Sequence, residues 1–330
     1  MILVTGGTGF IGTHLVDKLS GSGRAVRCLV RRKIRRKIRQ RSMPAGVETV
    51  YGDLSGGEGL PEALRGVDIV IHLAGVTKAL EPNDYYAGNV RGTRTLLNAM
   101  LVNAKAGRSI RLVHVSSLAA IGPSLDGSPV GEDARPQPLS HYGKSKLEGE
   151  RLVRELAPGA VIVRPPVVYG PGDTDVFQLL KSISKGLVLQ IAGGERWFSA
   201  IYVKDLVEGL IAASESSRAA GRSYFLAHSK PASWTQLGAV AGRIMGRNPR
   251  VLRVPVAVAH AVGYSAEVWS RITRKPGIIS REKVAEAQCM SWTCDPRRAA
   301  AELGFQAATS LEEGLAETLA WYKEAGWLKY

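Results

Sequence analysis

Cysteine is scarce in this chain of 330 residues. Only three cysteines are present: Cys28, Cys289 and Cys294. Their number is odd and their spacing is not that of paired metal ligands, so the sequence offers neither a disulfide framework nor a zinc motif. This usage suits a reducing compartment, and we expect a cytoplasmic protein without a structural metal.

Long apolar runs are also lacking. The longest, residues 254–268, is interrupted by His260 and Glu267 and is shorter than the ~20 residues that cross a bilayer. The first apolar run, residues 2–4, is followed at once by a glycine turn, which leaves no room for a secretory signal. Apolar residues still make up 45% and charged residues 22% of the chain, as in soluble globular proteins. We therefore expect a chain that is folded throughout, is not secreted and does not span a membrane.

Acidic residues are the minority, with 29 against 44 basic ones and a net charge of +15. Eight basic residues lie within residues 31–41, where the tetrapeptide Arg-Arg-Lys-Ile is repeated in tandem. Such a run is usually a solvated loop; the alternative is attraction of an anion, either a cofactor phosphate or an acidic membrane surface. The run has no interleaved aromatic residues and no nucleic-acid-binding motif accompanies it, so we expect no nucleic-acid partner.

Short apolar runs alternate with longer segments of helical period through the first half of the chain. The predicted strands are Ile2–Val4, Ala25–Val30, Val47–Tyr51, Ile69–Leu73, Leu112–Ser116 and Ala160–Val163. Near-continuous apolar strands with helical crossovers predict an α/β fold with a doubly wound parallel sheet of the Rossmann type.

The rhythm changes after residue 170, which predicts a smaller, mixed α/β lobe. We assign residues 1–170 to an NAD(P)-binding domain and residues 171–330 to a substrate-binding lobe, some of whose elements could return to the first domain. The lobe's predicted strands are Leu187–Ala192 and Ser223–Ala227, and its predicted helices are Trp234–Met245 and Leu311–Ala325. Substrate is expected between the two units.

A glycine-rich turn joins the first strand to a helix that starts near residue 11. The first glycine, Gly6, permits a tight turn, the second, Gly9, lets backbone N–H groups approach a pyrophosphate, and the third, Gly12, lets the helix pack on the strand. The helix N-terminus then faces the phosphates, with Phe10 and Ile11 at its start. Position and context favour a dinucleotide site over a purely structural turn.

The residues after the second strand bear on which dinucleotide is bound. NAD-selective enzymes place an acid there for the ribose hydroxyls, whereas this chain has Arg31 and Arg32. Guanidinium groups suit a 2′-phosphate, so NADP(H) is favoured and NAD(H) remains the alternative. The competing interpretation is that these arginines merely begin the basic run.

Further cofactor contacts are expected at the ends of the third and fourth strands. Asp53, followed by Leu54, is placed to accept a hydrogen bond from the adenine amine, or else caps the strand end. The segment Leu73, Ala74 and Gly75 offers small residues where the backbone must approach the cofactor.

Tyr142 and Lys146 are four residues apart at the start of a predicted helix, so both project from one face. A nearby ammonium favours the phenolate, which would bring the tyrosine closer to working pH as a proton-transfer group. Ser117 follows the strand Leu112–Ser116 and would polarise a carbonyl or alkoxide oxygen held between it and Tyr142.

Together these motifs, with residues 164–171 (Arg-Pro-Pro-Val-Val-Tyr-Gly-Pro), resemble the extended short-chain dehydrogenase/reductase superfamily of the NAD-dependent epimerase/dehydratase type. The resemblance covers nearly the whole chain. It implies that Ser117, Tyr142 and Lys146 form a catalytic triad, that Asn89 lies near the active site, and that Pro165 and Val168 contact the cofactor. It also suggests a homodimer packed through helices near residues 90–105 and 141–157.

The sequence defines the branch of this superfamily, and so the substrate, less clearly. Nucleotide-sugar members commonly carry Asn and Arg where this chain has Val167 and Phe198, and a buried diphosphate without its cationic partner would be costly. Residues 254–284 resemble 3β-hydroxysteroid dehydrogenase-like and dihydroflavonol-reductase-like members. We expect hydride transfer between NADP(H) and a secondary alcohol or ketone on a largely apolar substrate. A nucleotide-sugar epimerase or dehydratase, and a cofactor-binding subunit without turnover, are the alternatives.

Overall fold

The computed structural model describes residues 1–31, 43–105, 107, 109–277 and 279–330. The predicted cofactor residue Arg32, and residues 32–41 of the basic run, lie outside the described residues. Within them, no helix combines the length and apolar character needed to cross a bilayer.

The described strands and helices alternate through the first half of the chain. In chain order the strands are β1 (Ile2–Thr5), β2 (Val26–Val30), β3 (Glu48–Tyr51), β4 (Ile69–His72), β5 (Arg111–Val115), β6 (Val161–Val163), β7 (Val167–Tyr169), β8 (Leu187–Ile191), β9 (Trp197–Phe198), β10 (Ala200–Tyr202), β11 (Ser223–Tyr224), β12 (Ala232–Ser233), β13 (Arg250–Val254) and β14 (Ser291–Trp292). The α-helices are α1 (Phe10–Gly21), α2 (Leu60–Ala63), α3 (Pro82–Tyr86), α4 (Gly92–Lys105), α5 (His141–Leu156), α6 (Asp175–Ser184), α7 (Val203–Glu215), α8 (Trp234–Ile244), α9 (Val256–Thr273), α10 (Arg281–Gln288), α11 (Arg297–Leu303) and α12 (Leu311–Glu324).

Seven of these strands form one parallel sheet in the order β11–β6–β5–β4–β1–β2–β3. Helices α1 and α7 pack on one face and α2, α4 and α5 on the other. The inner strands are buried on both faces, as β1 is along its whole length, which explains their continuous apolar sequences. The predicted doubly wound α/β fold is confirmed, and its strands lie within a residue or two of the predicted positions.

The carboxyl-terminal half contributes to both parts of the molecule. Strand β11, in the predicted lobe strand Ser223–Ala227, is one of the elements that return to the first domain: it extends the large sheet beside β6 and is only two residues long. It stops there because the Phe225 amide donates to the Glu132 carboxylate instead of to a neighbouring strand. The predicted lobe strand at Leu187 is β8, which pairs with β13.

The lobe has its own apolar core, built by α6, α8 and α12 around the small sheets. The three-stranded small sheet is mixed, since β9 pairs antiparallel with β12 and parallel with β14, whereas the β7–β10 and β8–β13 pairs are parallel. The predicted lobe helices are confirmed as α8 and α12. The long helix α9 and the helix α10 were not predicted from periodicity.

Candidate active site

The glycine turn lies between β1 and α1 at the carboxyl edge of the large sheet. Gly6 has a φ of +76°, and a Cβ there would lie 2.7 Å from the Ala74 nitrogen. A Cβ on Gly12 would lie 2.1 Å from the Gly6 carbonyl oxygen. Neither position therefore accepts a side chain without movement of the backbone.

The N-terminus of α1 fits an anionic group. Gly9 is its N-cap and supplies no side chain to the first amides, and no acidic residue lies in the first turn. A Cβ on Gly9 would approach only the Gly6 oxygen, at 3.2 Å, so the outer side of the turn is open. Free amides at the positive end of a helix dipole suit a diphosphate.

The predicted adenosine-side residues follow β2 and β3. Arg31 is exposed directly after β2. Asp53 Oδ1 accepts hydrogen bonds from the Ser55 amide (2.9 Å) and the Ser55 hydroxyl (2.6 Å). Asp53 thus has the capping role that was the alternative interpretation, and its role toward adenine stays a prediction. Leu54 packs beside Gly92 at the start of α4.

The segment after β4 meets the catalytic helix through Asn89. The Asn89 side chain accepts from the Val76 amide (2.7 Å) and donates to the Val76 carbonyl (3.0 Å) and to the Ser145 hydroxyl on α5 (2.9 Å). A Cβ on Gly75 would lie 2.9 Å from Asn89 Oδ1 and 3.8 Å from Lys146 Nζ. Asn89 therefore ties the loop that carries Gly75 to the helix that carries Lys146.

Ser117 and Tyr142 are brought together by two caps. Ser117 is the N-cap of a short 3₁₀ helix, Leu118–Ala120, and accepts a hydrogen bond from the Ala119 amide. Ser140 caps α5 in the same way, so Tyr142 lies in the first turn of that helix. The side chain of Ser117 lies close enough to the phenol of Tyr142 to lower its pKa, while the neighbouring Ser116 is buried.

The electrostatics of Tyr142 differ from the expectation. Burial raises the pKa of the phenol above its usual value, and the nearby side chain of Ser117 opposes this only in part. The Lys146 ammonium donates to the Val115 carbonyl oxygen at 2.7 Å. Desolvation of Tyr142 therefore outweighs the stabilisation of its phenolate by neighbouring groups, and without ligands the tyrosine is held as a proton donor.

Lys146 is only 5% exposed. Burial lowers the pKa of its ammonium to about 8, and the Glu150 carboxylate acts in the opposite direction. A lysine that titrates near neutral pH can give up or take back a proton during turnover, as a relay behind the tyrosine requires.

The sequence analysis missed a buried ion pair that holds the catalytic helix. Arg164, directly after β6, donates from Nε and Nη2 to both carboxylate oxygens of Glu150 at 2.9 and 2.7 Å, and from Nη1 to the Glu132 carbonyl. Both side chains are at most 3% exposed. Glu150 lies one helical turn beyond Lys146, so the Glu150–Arg164 pair fixes the rotation of α5. The four-residue spacing between Lys146 and Glu150 is the only sign of this arrangement in the sequence.

A second missed contact comes from the lobe. Glu282, on α10, accepts a hydrogen bond from the amide of His141 with both carboxylate oxygens, each at 3.1 Å. His141 directly precedes Tyr142 in the sequence. The neighbouring Lys283 lowers the pKa of Tyr142. Helix α10 therefore docks on the N-terminus of the catalytic helix, and Lys283 adds positive charge beside the phenol.

Two buried histidines lie side by side below this site on β4 and β5. The two ring nitrogens of His72 are hydrogen-bonded to the hydroxyls of Thr5 (2.6 Å) and Thr93 (3.1 Å). The ring centroid of His72 is 5.4 Å from that of His114. Among the described residues, neither ring nitrogen of His114 has a hydrogen-bond partner. Burial, reinforced by Lys146, lowers the pKa of His72 to about 3 and that of His114 well below its usual range.

This pair predicts acid sensitivity. Below pH ~6.5 these histidines bind protons in the unfolded state but stay neutral in the folded state. The free energy of unfolding therefore falls with pH by about 1.4 kcal/mol per histidine and pH unit. Replacing His114 by Phe should remove about half of that slope, and it also removes two unsatisfied buried nitrogens. Urea unfolding of both proteins between about pH 5 and 7 measures the slopes; equal slopes would refute the assignment.

Pro165 and Val168, the predicted cofactor contacts after β6, lie apart from Phe198 in the structure. Pro165 is buried and accepts the Leu118 amide at 2.9 Å, while Val167 and Val168 on β7 are half-buried. Phe198 is 2% exposed and stacks on Trp234 with ring centroids 4.2 Å apart. Phe198 therefore packs in the lobe core, and its sequence neighbour Trp197 is the exposed aromatic.

Basic residues that would grip a diphosphate in place of the missing Arg have other partners. Arg196 is 4% exposed and donates to the carbonyl oxygens of residues 191, 192 and 194. Lys204 is paired with Glu317. Neither Arg196 nor Lys204 could therefore bind a substrate phosphate without breaking one of these contacts within the lobe.

A dinucleotide cradle, a Ser–Tyr–Lys cluster and a lobe over the same sheet edge define the class of NAD(P)-dependent enzymes that work on alcohols, ketones or sugars. The family model described as "NAD dependent epimerase/dehydratase family" matches residues 2–227. The chain belongs to this family, the extended short-chain dehydrogenases/reductases.

Three relatives are similar over nearly the full chain. The chain is 32% identical to the ceramide reductase of Caulobacter vibrioides, covering 99% of this chain and 96% of that protein. It is 28% identical to the 4-hydroxy-2-methyl-3-oxo-4-farnesyl-3,4-dihydroquinoline-1-oxide ketoreductase of Stigmatella aurantiaca (94% and 93%). It is 29% identical to the N-acetyl-alpha-D-glucosaminyl-diphospho-ditrans,octacis-undecaprenol 4-epimerase of Escherichia coli O157:H7 (96% and 94%).

The fold is also shared with solved structures. The crystal structure of gox2253 superposes with a TM-score of 0.80 at 28% identity and covers 100% of this chain and 99% of its own. The lobe as well as the large sheet is therefore part of a known architecture, which confirms the family resemblance seen in the motifs.

Proposed function

We propose that the protein is an NADPH-dependent reductase of a ketone on a long, largely apolar molecule. The observation that carries this proposal is the presence of the Ser117–Tyr142–Lys146 cluster together with the binding of Arg196 and Lys204, the cations on either side of Phe198 in sequence, to partners within the lobe. A sugar diphosphate would meet no uncommitted cation at these positions, whereas an apolar chain gains from burial.

The similar proteins support the same substrate class. Two of the three relatives are named as reductases, one of ceramide and one of a farnesylated quinoline. The third is an epimerase whose named substrate also carries an undecaprenol chain. Long apolar substrates are thus common to all three names, and reduction is common to two.

The cofactor would be held by the α1 N-terminus and the glycine turn at its phosphates, with Leu73–Gly75 against its middle. Bound there, it supplies the hydride that reduces the carbonyl carbon. Ser117 donates a hydrogen bond to the carbonyl oxygen and fixes its position. Tyr142 gives its proton to the same oxygen as the carbon–oxygen double bond becomes a single bond, and the buried Lys146 replenishes that proton from solvent.

The protonated phenol of Tyr142 is compatible with this direction of reaction. A phenol that keeps its proton at neutral pH can donate it to a developing alkoxide. Reduction of the carbonyl consumes a proton, so we expect reduction to be favoured as the pH falls.

Cofactor choice gives a separate prediction. Arg31 is exposed after β2, where it can reach a 2′-phosphate. NADPH should bind more tightly than NADH, and Arg31→Asp should narrow or reverse the gap, since a charge-assisted phosphate contact contributes about 1.5–3 kcal/mol. Titration calorimetry with both cofactors measures this, with Arg218→Asp as a control at an exposed arginine after α7. Equal affinities for both cofactors in the unmutated protein would end the NADPH assignment.

The epimerase alternative rests on the family itself and on one relative. It predicts that a nucleotide sugar or a polyprenyl diphospho-sugar stabilises the folded protein against heat, because a ligand that binds only the native state raises its apparent stability. Under the reductase proposal, UDP-sugars at millimolar concentration leave the melting temperature unchanged.

A further inference from the structure

Helix α9 is apolar on the side that it turns to solvent. Only Ala259 and Gly263 are buried along its 18 residues, and both lie on one side of the helix. One flank of the helix presents a stripe of Val258, Val262, Trp269 and Ile272, which are 47–69% exposed. A surface helix normally shows the reverse pattern, with polar residues outward.

The exposed apolar surface continues onto the neighbouring ribbon. Strands β8 and β13 place Leu189 beside Leu252, and both side chains are 51% exposed. Of the twenty large apolar side chains exposed in the described residues, twelve lie on β8, β13, α9 or the following loop. This concentration in one part of the lobe distinguishes the surface, here called the α9 face, from the single exposed apolar residues found on any protein.

The charge of the α9 face has one sign. Between residues 247 and 275 there are six basic residues and one acid: Arg247, Arg250, Arg253, Arg271, Arg274 and Lys275 against Glu267. Glu267 pairs with Arg281 on α10. Arginines that precede and follow the exposed valine, isoleucine and tryptophan residues in sequence match the headgroup and acyl layers of an anionic bilayer.

We propose that the α9 face lies on the surface of an anionic membrane, with α9 parallel to the bilayer plane and its valine, tryptophan and isoleucine side chains in the acyl boundary. A second copy of this chain is a poorer occupant, because a symmetric contact would place one set of arginines against the other. The proposal goes beyond the reductase activity, and a bilayer would be the natural reservoir for the apolar substrate proposed above.

Sedimentation with lipid vesicles tests this on the full chain. Binding is expected to vesicles that contain phosphatidylglycerol, to weaken with added salt, and to be much weaker on pure phosphatidylcholine. The double variant Trp269→Ser/Ile272→Ser should bind at least about tenfold less tightly, since it removes the deepest apolar contacts. The matched control, Val102→Ser/Leu125→Ser, removes two equally exposed apolar residues elsewhere and should bind as the unmutated protein does.

The basic residues 31–41 are unchanged in all these variants, so their attraction to the vesicles is common to every measurement. Thermal unfolding verifies that each variant is folded. Equal vesicle binding by the two double variants, or no binding to phosphatidylglycerol vesicles, would overturn the proposal. So would light scattering that shows a dimer which Trp269→Ser/Ile272→Ser dissociates. Vesicle binding is read without turnover, so a failed ketone assay leaves this result interpretable.

Discussion

Turnover by Tyr142→Phe should fall by at least ~10²-fold, while cofactor affinity stays within a few-fold of that of the unmutated protein. The substitution removes one hydroxyl that lies near Ser117 and that has no proton-transfer substitute of the same geometry. Phenylalanine keeps the ring and so keeps its packing beside Tyr85, whose centroid is 6.2 Å away. Steady-state rates together with cofactor titration separate the loss of chemistry from a loss of binding.

Tyr86→Phe is the matched control, because Tyr86 packs edge-on against His141 at the start of the same catalytic helix. We expect it to lose little activity. Turnover retained by Tyr142→Phe, or lost equally in both variants, would remove Tyr142 from the mechanism.

Gly12→Ala should abolish cofactor binding at any practical concentration and destabilise the fold. The added methyl would lie 2.1 Å from the Gly6 oxygen and 2.7 Å from the Gly7 Cα. Both are backbone atoms, which cannot move without moving the rest of the turn. Either α1 moves away from β1 or the turn opens, and overpacking of this kind costs about 1–3 kcal/mol or more. Cofactor titration and thermal unfolding record the two effects.

Gly21→Ala, at the end of the same helix, is the control. Its added methyl has no neighbour within 4 Å, and alanine is the better helix former. Stability should therefore be equal to or above that of the unmutated protein, with cofactor binding unchanged. If Gly12→Ala binds cofactor normally, the turn does not have the packing role assigned to it.

The sequence was sufficient to predict the sheet and the placement of Tyr142 and Lys146 on one helix, because both depend on local patterns. Continuous apolar strands and the glycine turn follow from burial and from φ at Gly6, and Tyr142 and Lys146 share one helix face at four-residue spacing. The seventh strand could not be placed in the large sheet from the sequence, because its two residues, Ser223–Tyr224, give no periodicity of their own.

Contacts between distant segments could not be predicted in this way. The Glu150–Arg164 pair, the Glu282 cap on α5 and the stacking of Phe198 on Trp234 join residues from different elements. Phe198 was interpreted as the loss of a cationic partner for a diphosphate, because an apolar residue stands where nucleotide-sugar members carry Arg. The same replacement is equally compatible with a residue of the lobe core, which is where the structure places it.

The most direct test of the account is a cofactor-linked absorbance assay of the purified chain with NADPH, comparing long-chain alkyl ketones in mixed micelles with UDP-sugars. The account predicts that NADPH is consumed with at least one of the alkyl ketones, that Tyr142→Phe does not consume it, and that UDP-sugars are neither bound nor converted. Conversion of a UDP-sugar, without turnover of any alkyl ketone, would contradict it.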